Sequence, residues 1–307
     1  RVYRLVCLPL MVKNLILGTA FVLLWSSGFV GAAWAPADVP WPTLLAWRYG
    51  VTAVLLLIMV LPRRPRLRLG DLARQALLGV LAHVVFLAGV FAATAGGTPA
   101  GTIALVCALQ PLLVTLLGAI FWRDRLGVRA VTGLLLGIIG VAVTSGTTTD
   151  GWTAAWLPAS SLVGLSAAAL LERRWRHRAP DLLSALAVQV TVAAVVFGVA
   201  ALITDQLAAP INGPFIGALA WLVLLSGLGG YAAFTACLRR LGATRTSTWL
   251  YLTPALTLLW AWLMLGQAPS AGEILGMAIA AGAVLLALTD GPRRAPTASS
   301  LPSRTPP

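Results

Sequence analysis

Two ionisable side chains, Arg48 and His83, interrupt otherwise apolar stretches of this sequence. An arginine among apolar neighbours can grip a carboxylate or a phosphate with its planar fork of donors. It can equally be paired structurally, or snorkel, its long stem reaching back to a polar interface. Histidine is the side chain whose ordinary pKa suits switching near neutrality. His83 could therefore relay a proton or bind a solute; a neutral imidazole donating to a neighbouring helix is the plain alternative. No Asp or Glu lies deep in an apolar stretch, and Glu172 and Glu273 fall at stretch ends. This argues against proton or sodium antiport through a carboxylate. His83-linked coupling, solute exchange and uncoupled facilitation remain.

Two polar-proline pairs come next, Gln110-Pro111 and Thr253-Pro254. Proline removes a helical hydrogen bond and frees a carbonyl. In an apolar helix such a break is tolerated where it is buried in protein or lines a cavity. The pairs read as the walls of a central site, or as kinks needed for packing. Trp25, Ser26 and Ser27, with Tyr231 and Tyr251, could line a mixed aromatic and polar cavity, or pack helices in the ordinary way. Gly133 and Gly137, and Gly276 and Ala280, repeat at four-residue spacing, which permits close helix approach. Those faces could join two halves of one chain or two protomers, so a monomer and a homodimer both stay open.

Other chemistries lack their signatures. There is no HExxH, GxSxG or phosphate-cradling glycine loop. Neither catalysis nor a cofactor is expected. Cys7, Cys107 and Cys237 show no CxxC spacing, so no zinc site or disulfide framework is implied. Cys107 and Cys237 read as small packing residues.

The elements holding these residues must be membrane helices. Of the 307 residues, 59% are hydrophobic and 10% charged, with a mean hydropathy of +0.90. Soluble proteins carry about 25% charged residues. A chain this poor in charge needs lipid as part of its solvent. A helix needs about 20 apolar residues to cross a bilayer. Ten stretches qualify, near 14–34, 43–61, 75–95, 99–121, 129–146, 154–172, 182–203, 214–237, 246–265 and 271–289. Prolines and the Gly96-Gly97-Thr98-Pro99 turn punctuate the short connections. No alternating barrel pattern is visible.

All but Arg48 of the 22 Lys and Arg residues fall in the head, the tail, or the connections after spans 2, 4, 6 and 8. The other connections carry Asp38, Asp150, Asp205 and Glu273 and no base. Basic residues accumulate on the cytoplasmic side, so both termini are expected there. The +13 charge is thus a topology signal, and nucleic acid is not an expected partner. Arg48 lies about five residues into span 2, roughly 7–8 Å below the outer boundary. Trp34, Trp41, Trp152 and Trp156 fall at that outer edge as interfacial anchors. The apolar run after Lys13 resembles a signal peptide but is long, and reads as an uncleaved first helix, with Met11 a candidate start. Residues 1–13 are expected to form a cytoplasmic head and 290–307 a disordered tail.

The halves repeat. A shift of 143 residues lays Phe91, Ala93, Ala100, Leu109, Pro111 and Gly133 on Phe234, Ala236, Ala243, Leu252, Pro254 and Gly276. Gly96-Gly97 falls on Arg239-Arg240, and Arg123-Asp124-Arg125 on Gly266-Gln267-Ala268. Equivalent connections swap between basic and uncharged. Five spans is an odd number, so the second half must lie upside down, as this swap requires. The expected fold is an all-α membrane protein of two inverted five-helix repeats, 14–146 and 154–289. Inverted repeats around a midplane site are a recurring transporter design.

Leu24-Trp25-Ser26-Ser27-Gly28-Phe29, Arg48 within Ala46-Trp47-Arg48-Tyr49, Leu109-Gln110-Pro111-Leu112-Leu113, then Gly133 and Gly140-Val141, form an ordered set. Together they resemble the EamA-type transporters of the drug/metabolite transporter superfamily, over roughly 14–289. The resemblance implies ten helices in two inverted repeats that move amino acids or other small metabolites, often outward. This sequence departs from the family's Gly-Glu-Arg-like turn after span 4, having Arg123-Asp124-Arg125 there.

The expected function is secondary transport of a small metabolite, by alternating access across a bacterial-type inner membrane. The alternatives are a nucleotide-sugar or lipid-linked carrier, and a non-transporting sensor or scaffold.

Overall fold

Gly, Pro and small polar residues set the helix boundaries. Pro42 starts α2 (Trp41–Val60) within its first turn, where its missing N–H costs nothing. Asp181 caps α8 (Leu182–Ile203), accepting from the Ser184 N–H at 3.1 Å. Asn212 caps α9 (Gly213–Leu241), accepting from the Phe215 N–H at 2.9 Å. Gly266 ends α10 (Thr253–Leu265) in the left-handed conformation, φ +67°. Ser270 and Glu273 then form a capping box at the start of α11 (Ala271–Leu288).

The other helices are α1 (Val2–Trp34), α3 (Leu69–Ala95), α4 (Ala100–Cys107), α5 (Gln110–Trp122), α6 (Val128–Ser145) and α7 (Trp156–Trp175). The computed structural model describes residues 2–122, 128–145, 156–175, 180–241, 246 and 249–288; no strand occurs among them. Arg123-Asp124-Arg125, Asp150, Trp152 and the 290–307 tail lie outside the described residues. α1 reaches back to Val2, upstream of the apolar stretch that starts near residue 14.

Among the described residues, six helical stretches are long and apolar enough to cross a membrane: Val12–Trp34, Trp41–Arg63, Leu69–Ala95, Ala100–Phe121, Leu182–Ile203 and Gly213–Leu241. Val131–Thr144, Thr253–Leu265 and Ala271–Gly282 are apolar but shorter. Large apolar side chains also cover the outside, among them Ile58, Ile138, Val195, Leu202 and Trp262. A water-facing surface does not expose apolar groups this continuously; lipid does not penalise them.

Inside, Leu44, Leu45, Phe91, Ile103, Phe197, Phe215 and Leu222 form one core fed by both halves of the chain. The helices pack in a pattern that maps onto itself when the halves are exchanged. α6 lies along α11 and α2 along α8, each joining equivalent helices. α3 on α7 is matched by α9 on α1, and α5 on α7 by α10 on α1.

The backbone irregularities are paired as well. α4 and α5 are separated by a turn at Ala108-Leu109, and α10 is preceded by one at Tyr251-Leu252. The Leu109 N–H donates to Val106 O at 3.1 Å and the Leu252 N–H to Trp249 O at 3.0 Å, which are repeat-equivalent bonds. Pro111 and Pro254 cause both breaks, because neither can supply the next helical N–H. α3 and α9 each contain a π-helical stretch, Val80–Val85 and Trp221–Gly229, again at matching positions. The wider turn rotates side chains that a regular helix would not present together, and such bulges cluster at functional sites.

Candidate functional site

Arg48 is buried, with 9% of its surface exposed. Its Nη2 crosses from α2 to donate to Ser226 Oγ, 3.2 Å away in the π-helical part of α9. Its Nη1 is fully buried and has no hydrogen-bond partner among the described residues. Arg48 makes no ion pair with a described residue; the Arg74–Asp71 pair sits at the surface end of α3. A buried cation lacking a carboxylate carries an unmet electrostatic demand.

Beside it, Tyr49 and His83 begin a polar chain across three helices. Tyr49 Oη lies 3.1 Å from His83 Nδ1, and His83 Nε2 lies 3.2 Å from Gln189 Oε1. Gln189 Nε2 then donates to Gln75 Oε1 at 2.7 Å. The amide orientation of Gln189 obliges His83 Nε2–H to donate, which leaves Nδ1 to accept from the tyrosine hydroxyl. A neutral imidazole therefore satisfies every member of the chain. The Tyr49 ring also stacks on Phe197, with centroids 5.6 Å apart.

Ser226 and His83 occupy equivalent positions in the two repeats, each on a π-helical stretch. Across from Ser226 is Gly28 of α1, where a Cβ would lie 3.2 Å from the serine Cβ. One residue earlier, Ser27 O accepts from Trp221 Nε1 at 3.0 Å. Trp221 in turn meets Trp260 of α10 edge-on, with centroids 5.8 Å apart. The hydroxyls of Ser26 and Ser27 are buried and bond back to Leu23 O and Leu24 O of their own helix.

The remaining sequence-derived residues are distributed around this centre. Trp25 and Tyr231 meet through Phe234, at 5.6 and 6.2 Å. Tyr251 packs at the second helix break, against the Leu109 and Leu112 cluster. Gln110 Nε2 makes a long 3.4 Å bond to Leu165 O, and Pro111 follows it in α5. Thr253 and Pro254 are buried at the start of α10, with Thr253 Oγ1 unpaired. Gly276 and Ala280 face Gly140 across the α6–α11 contact, whereas Gly137 faces Leu109, and Gly133 is buried.

Two cavities lie elsewhere. One of about 80 Å³ is lined by Gly101, Leu258, Gln267 and Glu273. An apolar groove of about 440 Å³ runs along Trp47, Gly50, Val54 and Leu207. Arg48 lines neither.

The model of the EamA-like transporter family matches residues 12–146 and again 160–289. The chain belongs to the EamA-like transporter family. It is thus a multi-pass membrane transporter of the drug/metabolite transporter superfamily, and two copies of the family's repeat make up its body. A solved crystal structure resembles it with a TM-score of 0.61 at 21% identity, over 90% of this chain and 98% of the other. At that identity the likeness concerns the fold. No curated protein matches the chain.

Sequence reasoning missed Tyr49, Gln75, Gln189, Ser226, Trp221 and Trp260 in this EamA-like transporter. Signals existed for some of them. Gln75 and Gln189 are strongly polar residues in apolar stretches, and Ser226 is found by applying the 143-residue shift to His83. Nothing in the local pattern separates Trp221 and Trp260 from the interfacial tryptophans.

Proposed function

We propose that the protein is a secondary transporter that exports a small metabolite carrying a carboxylate, amino acids and related compounds included. It works by alternating access across a bacterial-type inner membrane. Its ten helices would span the bilayer as two inverted repeats, 14–146 and 154–289, with both termini cytoplasmic. The charge segregation and the repeat-symmetric packing support that topology.

The observation that carries the reading is Arg48, with its unpartnered Nη1 and, among the described residues, no carboxylate within ion-pairing distance. A solute carboxylate supplies what this site lacks. It can accept from Nη1 while Nη2 keeps Ser226, and a charge-assisted bond of this kind is worth about twice a neutral one. Ser226 belongs to the second repeat, so a solute bound here would touch both halves. Rocking of the halves, hinged at the paired breaks near Pro111 and Pro254, would then open the same residues to either side.

Reconstitution into proteoliposomes tests this. The reading predicts saturable flux of a labelled carboxylate that competes with other carboxylates and not with organic cations. Equal inhibition by anions and cations, or no protein-dependent flux for any anion, contradicts it.

A further inference from the structure

α10 carries a row of polar groups that no described residue satisfies. Thr253 Oγ1, Thr257 Oγ1 and Trp260 Nε1 are all buried and lack hydrogen-bond partners. Thr253 and Thr257 are 5% and 0% exposed, so water has no ready access to them. At positions i, i+4 and i+7 they fall within an arc of about 60° on the helix, over a rise of roughly 10 Å. Leu256, on one side of that arc, packs against the Phe21, Val22 and Cys237 cluster of α1 and α9. On the other side, Leu258 presses on Gly101 of α4. The row therefore looks between α1 and α4, into the interior that both repeats share.

Its Trp260 end meets the Arg48 region. Trp260 touches Trp221, and Trp221 and Ser226 sit on the same Ser27-Gly28 step of α1. Ser226 holds Arg48. Leaving a buried donor or acceptor unpaired costs about 1–3 kcal/mol. Three on one helix face, linked to the unpaired Arg48 donor through Trp221, the Ser27-Gly28 step and Ser226, indicate a missing partner with several oxygen atoms. The equivalent first-repeat positions are Gln110, Val114 and Leu117, so the row as a whole belongs to the second half alone. The described acidic residues, Asp38, Asp71, Glu172, Asp181, Asp205 and Glu273, all sit at helix ends or in connections. A solute ammonium would find no carboxylate along this row.

We infer that the solute is a hydroxylated carboxylate of the sugar-acid type, with its carboxylate on Arg48 and its hydroxyls along Thr253, Thr257 and Trp260. Hydroxyl groups suit this row because they donate to and accept from threonine and accept from the indole N–H. This inference rests on the reading of Arg48 as the anion anchor and narrows the solute class for that site.

The test is calorimetric titration of the purified full-length protein in nanodiscs with gluconate, propionate and alanine. Wild-type protein should bind gluconate more tightly than propionate, and alanine most weakly. Trp260→Phe and Thr257→Val, which preserve shape, should each weaken gluconate by about three- to tenfold, the size of one lost hydrogen bond. They should leave propionate within a factor of about two. Arg48→Ala should lose both anions. If gluconate binds no better than propionate, or neither α10 variant affects it while Arg48→Ala does, the sugar-acid inference falls and the anion anchor stands. If Arg48→Ala binds propionate as wild type does, or wild type binds neither anion, the anchor itself falls. Monodisperse elution of each variant establishes that a lost signal is not lost folding.

Discussion

Arg48 Nη2 donates to Ser226 Oγ at 3.2 Å, and Ser226 stands in the second repeat where His83 stands in the first. Two equivalent positions thus perform different tasks. One supports a buried cation that lacks a counter-ion among the described residues, and the other closes a neutral chain through Tyr49, Gln189 and Gln75. The backbone is closely symmetric at the π-helical stretches and proline breaks, but the chemistry it presents is not. Thr191, the counterpart of Arg48, also has a buried, unpaired hydroxyl.

His83 tests the second half of that statement. Both of its nitrogens have neutral partners, so it is expected to stay uncharged through the transport cycle. His83→Gln should keep the pH profile of flux in proteoliposomes. Tyr49→Phe, which strands Nδ1, should lower the thermal stability of detergent-solubilised protein by about 1 kcal/mol. Loss of the pH profile in His83→Gln would make His83 a proton carrier instead.

The contact between α6 and α11 sets a steric prediction. A Cβ at Gly276 would lie 2.5 Å from Gly140 O, too close for the backbones to keep their distance. Gly276→Ala should therefore destabilise the protein by about 1–3 kcal/mol, the usual range for overpacking. At Gly50 a Cβ meets nothing within 4 Å. Gly50→Ala should be neutral or stabilising by up to about 1 kcal/mol, since alanine is the better helix former. Thermal melting of the two variants side by side measures the contrast.

At the mouth of α8 the Asp181 cap gives a pH dependence. Hydrogen bonding to Ser184 holds the Asp181 carboxyl below its ordinary value. A depressed folded-state pKa means that the cap's contribution is present above the unfolded value of about 3.9 and is lost as pH falls through the folded one. Asp181→Ala should cost about 1 kcal/mol at neutral pH. Asp181→Asn should restore most of this and remove the acid-side loss. Melting curves at neutral pH and below pH 4 read both effects.

Much of this architecture was legible in the sequence because lipid leaves few options. Apolar stretches must be helices, and the 143-residue shift exposes the repeat that the family match finds twice. The breaks at Pro111 and Pro254 were legible for the same reason: a missing N–H leaves a local mark. The Tyr49–His83–Gln189–Gln75 chain was not, since it depends on which faces of α2, α3 and α8 meet. That is decided by packing between residues 34 to 114 positions apart. Gly140 as the partner of Gly276, where Gly133 and Gly137 carried the four-residue spacing, is another case. Spacing predicts that a helix can be approached closely, and the crossing point selects which glycine is used.

The central claim is that the unpaired Arg48 guanidinium anchors the anionic group of the solute. The most direct measurement is carboxylate flux in proteoliposomes containing Arg48→Ala or Arg48→Lys, at equal reconstituted protein. Loss of one charge-assisted contact, worth about 1.5–3 kcal/mol, predicts a fall of about 10- to 150-fold for Arg48→Ala. Arg48→Lys should retain part of the flux, having kept the charge without the fork. Unchanged uptake kinetics in Arg48→Ala would contradict the account.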